Sequence, residues 1–180
     1  MSQASVVDEI PEVIEEPLTP EALGAMYRRM CDDPCLANIP GKIELDMWGR
    51  MVMSPASNYH SMVQMRLGQR LLPLGGQAFS EASVVTAAGL FVADVAWASE
   101  EFLSIHGTET PFTRAPELCI EVTSPSNSRR ELNKKVTAYL AAGAVEVWIV
   151  YIRAKRIEFY GRNGPLEHTA FAIDLAGLFV

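Results

Sequence analysis

Two hydrophobic periods run along this chain, and the switches between them lay out its elements. Thr19-Pro20-Glu21 carries the marks of a helix start: a hydroxyl cap, a proline in the first position and an acid in the first turn. Leu23, Met26, Tyr27 and Met30 then share one helical face, and Asp32-Asp33-Pro34 stops the run. Lys42 to Met53 reads as a hairpin. Ile43, Leu45 and Met47 alternate with Glu44 and Asp46, Gly49 takes the turn, and Met51-Val52-Met53 returns. By that alternation Glu44 faces solvent. Ser57 caps a helix from Asn58 to Leu72, on which Tyr59, Val63, Leu67 and Leu71 form a buried stripe. His60 falls on the same side, where a histidine is expected to be a satisfied core residue.

Gly75-Gly76 ends that helix. Gln77–Thr86 and Gly89–Ala98 read as two strands, the second apolar on both faces except at Asp94, which places it inside a sheet covered by helices. Glu100–His106 reads as a connecting turn. Leu118–Thr123 is a strand that breaks at Ser124-Pro125-Ser126-Asn127, whose serines are expected to cap the helix from Arg129 to Ala142, closed by Gly143. Val145–Ile152 is a strongly apolar strand and Lys155–Tyr160 pairs back on it. Phe171–Val180 is expected as a last short strand or helix on the core. Trp48, Trp97 and Trp148 read as core or interface aromatics. The mixture predicts an α/β or α+β fold with a central mixed sheet flanked by helices.

Charge changes this picture at one end. Of 22 acids, Asp8, Glu9, Glu12, Glu15 and Glu16 fall in residues 1–18, which hold no base, so the remainder is nearly neutral against 15 bases. Residues 1–18 are expected to be a flexible acidic tail and 19–180 a single domain. The balance argues against a protein that coats nucleic acid, though not against a local basic groove. Cys31, Cys35 and Cys119 are odd in number and sparse, which predicts a reducing, cytoplasmic setting. Cys31 and Cys35 lack a nearby third ligand for zinc. No apolar run approaches the roughly 20 residues that span a bilayer.

Chemistry enters with Asp94 and Glu121, carboxylates inside strands that otherwise read as buried. Two such groups brought together repel, so one is protonated or a cation holds them. A hard divalent ion such as Mg²⁺ or Mn²⁺ is the economical cation. The plain alternative puts each acid at a strand end, reaching water or an arginine. On the following helix Leu132, Val136, Tyr139, Leu140 and Gly143 define the buried face. Lys135 flanks it and leans toward the strand that bears Glu121, whereas Lys134 points to solvent. Two acids and one inward lysine suit phosphodiester hydrolysis, and a boundary lysine with a buried stem is the plain alternative. Arg129, Arg130 and Lys134 are the densest bases nearby.

Several segments then add a resemblance. Ile43–Pro55 followed by His60, V-A-D-V-A-W (Val92–Trp97), L-C-I-E-V-T-S-P-S (Leu118–Ser126), Lys135–Val150 and the closing I-D-L-A-G-L-F resemble, in order, the putative restriction endonuclease family, a branch of the PD-(D/E)XK nuclease superfamily. The resemblance implies a restriction-endonuclease-like core and metal-dependent hydrolysis of DNA with a metal-activated water as nucleophile. It implies Asp94, Glu121 and the Val122 carbonyl as metal ligands, Glu44 as a helper carboxylate and Lys135 as the catalytic lysine. Ala93 stands where the superfamily's name motif has proline, and Thr123 where its lysine usually lies. The family commonly moves that lysine to the next helix, which Lys135 matches. Glu131 and Tyr151 stand where the family often has aspartates. The partners expected are DNA and, as an open alternative, a second copy in a homodimer. The rival readings are a non-catalytic interaction module on a nuclease fold, and a carboxylate-pair hydrolase acting on something other than nucleic acid.

Overall fold

A computed structural model of the chain describes residues 16–36, 41–54, 57–124 and 127–179. In order these form α1 (Pro20–Cys31), β1 (Lys42–Asp46), β2 (Met51–Ser54), α2 (Asn58–Leu71), β3 (Gln77–Thr86), β4 (Gly89–Ala98), α3 (Glu100–His106), β5 (Leu118–Val122), α4 (Arg129–Ala141), β6 (Glu146–Tyr151), β7 (Arg156–Gly161) and β8 (Gly164–Leu166). The expected helix starts are present. Thr19 accepts from the Ala22 N–H, and Ser57 from that of His60. Ser128, rather than Ser124, caps α4 in a reciprocal box with Glu131.

The strands make one eight-stranded sheet in the order β2-β1-β4-β5-β6-β7-β8, with β3 also paired to β4. The sheet is mostly antiparallel. Its parallel pair, β5 and β6, is joined by α4 as the crossover. Helices α3 and α4 cover one face through Phe102, Leu132, Val136 and Tyr139. On the other face α2 packs Val63, Leu67 and Leu71 against Ile120, Val122, Trp148 and Val150. Leu23 of α1 closes a smaller core with Leu45, Leu90 and Val92.

The sheet forks along β4. β3 pairs with its full length, but the opposite edge is divided. β1 pairs with it only at Gly89 and Leu90, and β5 only at Val95–Trp97. Phe91–Asp94 lie between the two partners. Gly89 makes the β1 contact possible: a Cβ there would sit 2.6 Å from the Leu45 carbonyl oxygen. The alternation of β4 also slips at this point, because Phe91 and Ala93 share a core layer with Ala96 and Ala98. Opposite the slip, between Ser80 and Ala82 of the paired register, Glu81 has a left-handed backbone at φ 56°.

Several expectations are corrected. Glu100–His106 is a helix, not a turn, because Ser99 accepts from the Phe102 N–H, acids fill its first turn and Gly107 ends it. The C-terminal segment has no regular structure through Phe179. It nevertheless packs Phe171, Ile173 and Leu178 on the α2 face, tied by Arg66 to the Leu178 carbonyl and by Arg70 to those of Asp174 and Ala176. β8 was not foreseen. Of the tryptophans, Trp148 is fully buried and Trp97 half-buried, but Trp48 is exposed under Arg50. The expected flexible tail lies outside the described residues as far as residue 15, as does Ser126. The tail's last residue is held: the Leu18 N–H donates to the Met47 carbonyl at 2.8 Å.

Candidate active site

The fork in the sheet gathers the chemistry. Where β1 and β5 leave β4, side chains take over hydrogen bonds that strands would otherwise make. Glu44 Oε1 accepts from the Val92 N–H at 2.9 Å, and Lys42 Nζ donates to the Val92 carbonyl at 2.8 Å. Across the other branch, Asp94 Oδ2 accepts from the Val122 N–H at 2.7 Å. Buried backbone groups need such partners, so the acids are built into the fold as well as into the cleft.

Glu44, Asp94 and Glu121 are buried together with Lys135. Lys135 Nζ donates to Glu44 Oε1 at 2.7 Å and to Glu121 Oε2 at 3.0 Å. Lys42 Nζ donates to Asp94 Oδ1 at 2.7 Å and lies 3.7 Å from both Glu44 Oε1 and Glu121 Oε2. The Tyr139 hydroxyl donates to Glu121 Oε1 at 2.8 Å. His60 Nε2 donates to the Val122 carbonyl at 2.9 Å and stands 3.3 Å from Asp94 Oδ2, while its buried Nδ1 finds no partner among the described residues. The group opens into a cleft of about 440 Å³ whose wall includes Gln64, Phe91, Asn127 and Lys134.

Electrostatics follow from three carboxylates facing two ammoniums. Burial alone would raise Asp94, but the His60 hydrogen bond and Lys42 outweigh it and bring its pKa down to about 2. For Glu121 burial dominates, and with Asp94 and Glu44 nearby its pKa stays above the usual carboxylate range despite Lys135 and Lys42. Burial pulls both lysines down, yet the acids, Glu121 foremost, more than offset this and raise each. The hydrogen bond to Asp94 raises His60 against the effect of burial.

The structure therefore brings Asp94, Glu121, the Val122 carbonyl, Lys135 and Glu44 into one cluster. Glu44 corrects the solvent-facing assignment. Both faces of β1 are covered where it crosses the fork, so its alternation did not mark an outside. His60 is buried, as expected of its face, but it is not a satisfied core histidine: its Nδ1 has no partner among the described residues and its ring touches two of the candidate ligand residues. Lys134 is exposed, as expected, with its ammonium 5.5 Å from the Phe91 ring at the cleft wall. Arg129 turns to Tyr151, Glu158 and Tyr160 instead, and Arg130 lines a groove on the outer side of α4. Sequence reasoning missed Lys42 and the polar role of Tyr139. Lys42 stands two residues before Glu44, hence on the same strand face, and that was the available signal. Glu146 is a further buried carboxylate that the strand reading did not single out.

A hard divalent ion suits the acids in kind, because Glu44, Asp94, Glu121 and the Val122 carbonyl all offer oxygen. Oxygens of all three acids lie within 3.7 Å of the Lys42 nitrogen, so a cation already stands where they converge. As arranged around the ammoniums, no group of three or more His, Cys, Asp or Glu side chains among the described residues is spaced to hold a metal ion. No helix among them is long and apolar enough to cross a membrane.

A mostly antiparallel sheet with one parallel crossover, carrying three acids and two lysines at its fork, is a nuclease-like fold of the restriction-endonuclease type. The family model described as putative restriction endonuclease matches residues 25–173, and the chain belongs to that family. Among solved structures it is similar to a putative nuclease belonging to DUF820 from Anabaena variabilis, with a TM-score of 0.58 and 18% identity over 81% of this chain and 80% of that one. No curated protein matches the chain.

Proposed function

We propose that the chain is a metal-dependent endonuclease that hydrolyses phosphodiester bonds in DNA. The observation that carries this reading is the convergence of Asp94, Glu121 and Glu44 with the Lys135 ammonium in one open cleft. Asp94, Glu121 and the Val122 carbonyl would hold Mg²⁺ or Mn²⁺, with Glu44 reaching the ion or its waters. When bound, the ion supplies Lewis-acid polarisation of the phosphate and acidifies the attacking water.

The chain's own groups do the rest. Lys135, fixed between two carboxylates, offers an ammonium to charge developing on the phosphate or the attacking oxygen. Tyr139 fixes the second oxygen of Glu121 and so its orientation. His60 holds the Val122 carbonyl, while the N–H of that residue holds Asp94. Lys134, at the cleft wall, would meet a backbone phosphate.

Purified protein is expected to nick DNA in Mg²⁺ or Mn²⁺, and Asp94→Ala or Lys135→Ala to abolish nicking. For Lys135→Ala that means a loss of at least about 10²–10³ in rate. Nicking that survives both substitutions sinks the assignment. The rival, a non-catalytic module that binds partners or dimerises, is favoured by one observation: two ammoniums already neutralise most of the cluster without a metal. A calorimetric titration separates the two, since the module would take up no Mn²⁺.

A further inference from the structure

Lys42 sits differently from the other cation in the cluster. Lys135 grips Glu44 and Glu121 from the helix side. Lys42 stands among all three acids, 2.7 Å from Asp94 Oδ1 and 3.7 Å from an oxygen of each of the others, with the Val92 carbonyl at 2.8 Å. Its surroundings are those of a bound cation: four oxygens, three of them anionic, on three different strands. Without it, three buried carboxylates would share one lysine and, at Asp94, the His60 ring, which disfavours all three staying ionised together. Its side chain is 14% exposed and its residue forms part of the cleft wall, so the lysine borders open space as well as the acids.

We propose that Lys42 is a built-in counter-ion that fills the cation position of this site and must leave it for a divalent ion to enter. This rests on the metal-dependent reading above. The folded chain then needs no metal to hold its acids together. Occupancy by Mg²⁺ or Mn²⁺ becomes a competition between a free divalent ion and a tethered single charge, which sets the metal concentration at which the site loads.

The test is calorimetric titration of Mn²⁺ into full-length chain stripped of metal. Lys42→Met is expected to bind Mn²⁺ at least about tenfold more tightly than wild type. Lys134→Met removes the same charge from the cleft wall without touching the acids and is expected to stay near wild type. In thermal melts, metal-free Lys42→Met should unfold earlier than wild type and gain more from Mn²⁺. Should Lys42→Met not fold, Lys42→Gln replaces it, and failure of both to fold unless Mn²⁺ is present also supports the proposal. Affinity in the Lys42 variant equal to or below that of wild type overturns it while leaving the metal reading in place. An equal gain in Lys134→Met overturns it too, since the effect would then be general charge. Absence of Mn²⁺ binding in every variant overturns the metal reading and this inference with it.

Discussion

Two buried acids stand near opposite ends of the paired strands β5 and β6, and they are held in opposite ways. Glu146, at the start of β6, accepts from Trp148 Nε1 at 2.7 Å, Thr169 Oγ1 at 2.8 Å and the Ala170 N–H at 2.7 Å. Each donor is neutral, and together they pin residues 169 and 170 of the C-terminal segment to the sheet. Glu121, near the end of β5, is held by a lysine and a tyrosine from α4, with a second lysine 3.7 Å away. The two acids are 2% and 4% exposed, so burial does not distinguish them. What does is the partner: fixed neutral dipoles at a structural acid, cations on flexible stems beside a cleft at the candidate site. A tethered cation can in principle be displaced by a competing cation; fixed neutral dipoles cannot.

The largest effects that would break this contrast come from cutting each acid out. Glu121→Gln leaves Lys135 without half of its buried counter-charge and should cost about 3 kcal/mol of stability in urea denaturation. Adding Lys135→Met should not return that stability, because Glu44 then loses its 2.7 Å partner as well, while nicking stays at background. Glu146→Ala leaves an indole N–H, a hydroxyl and a backbone N–H without their acceptor, for about 2–4 kcal/mol. The folded fraction of that variant should nick DNA at the wild-type level. If Glu146→Ala abolishes nicking in folded protein, the division between structural and functional acids fails.

How much of this was legible in the residues depends on how local the cause was. Asp94, Glu121 and Lys135 stood out because each breaks or flanks a periodic apolar pattern on a single element. Glu44 was misplaced and Lys42 passed over because their burial comes from the fork, where β1 and β5 part company along β4, and no single strand's alternation records the pairing of three. Tyr139 was read as part of an apolar face, although its hydroxyl is what fixes Glu121. α3 carries its signals locally, in Ser99, Glu100, Glu101 and Gly107. The C-terminal segment is different. Arginines of α2 hold its carbonyls, a tertiary cause with no local trace.

A third kind of acid sharpens the comparison at smaller scale. Glu158 on β7 is held by cations, as Glu121 is, but at the surface, among Arg129, Arg156, Tyr151 and Tyr160. What burial it has would raise its pKa, but hydrogen bonds from Tyr160, Arg156, Tyr151 and Arg129 bring it down to about 2, against an ordinary 4.5. A carboxyl whose folded value is depressed stabilises fully above its unfolded value and loses that contribution as pH falls through the folded one. Glu158→Gln should therefore lower stability in urea denaturation modestly at pH 7, by under about 1 kcal/mol given its exposed partners. The difference from wild type should fade between pH 4.5 and 2. A difference that stays constant over that range would show that packing, not charge, carries the effect.

The smallest effect concerns the backbone opposite Asp94. Glu81 holds φ 56° within β3, between residues paired to Ala93 and Val95, where the alternation of β4 slips. A non-glycine residue in that region costs about 1–2 kcal/mol, and glycine escapes it at some expense in unfolded-chain entropy. If the kink serves only to aim Asp94 into the fork, Glu81→Gly should keep the register, leave nicking unchanged and raise stability by about 0.5–1 kcal/mol. Glu81 also lies along the cleft wall, so its carboxylate has a second route to influence. Glu81→Asn separates the two, since asparagine tolerates the left-handed backbone but carries no charge. Equal stabilisation by both variants with unchanged nicking assigns Glu81 to strain alone. A shift in the Mn²⁺ dependence of nicking common to both would instead make its charge part of the site, and so place a fourth acid on the side of Glu121 rather than of Glu146.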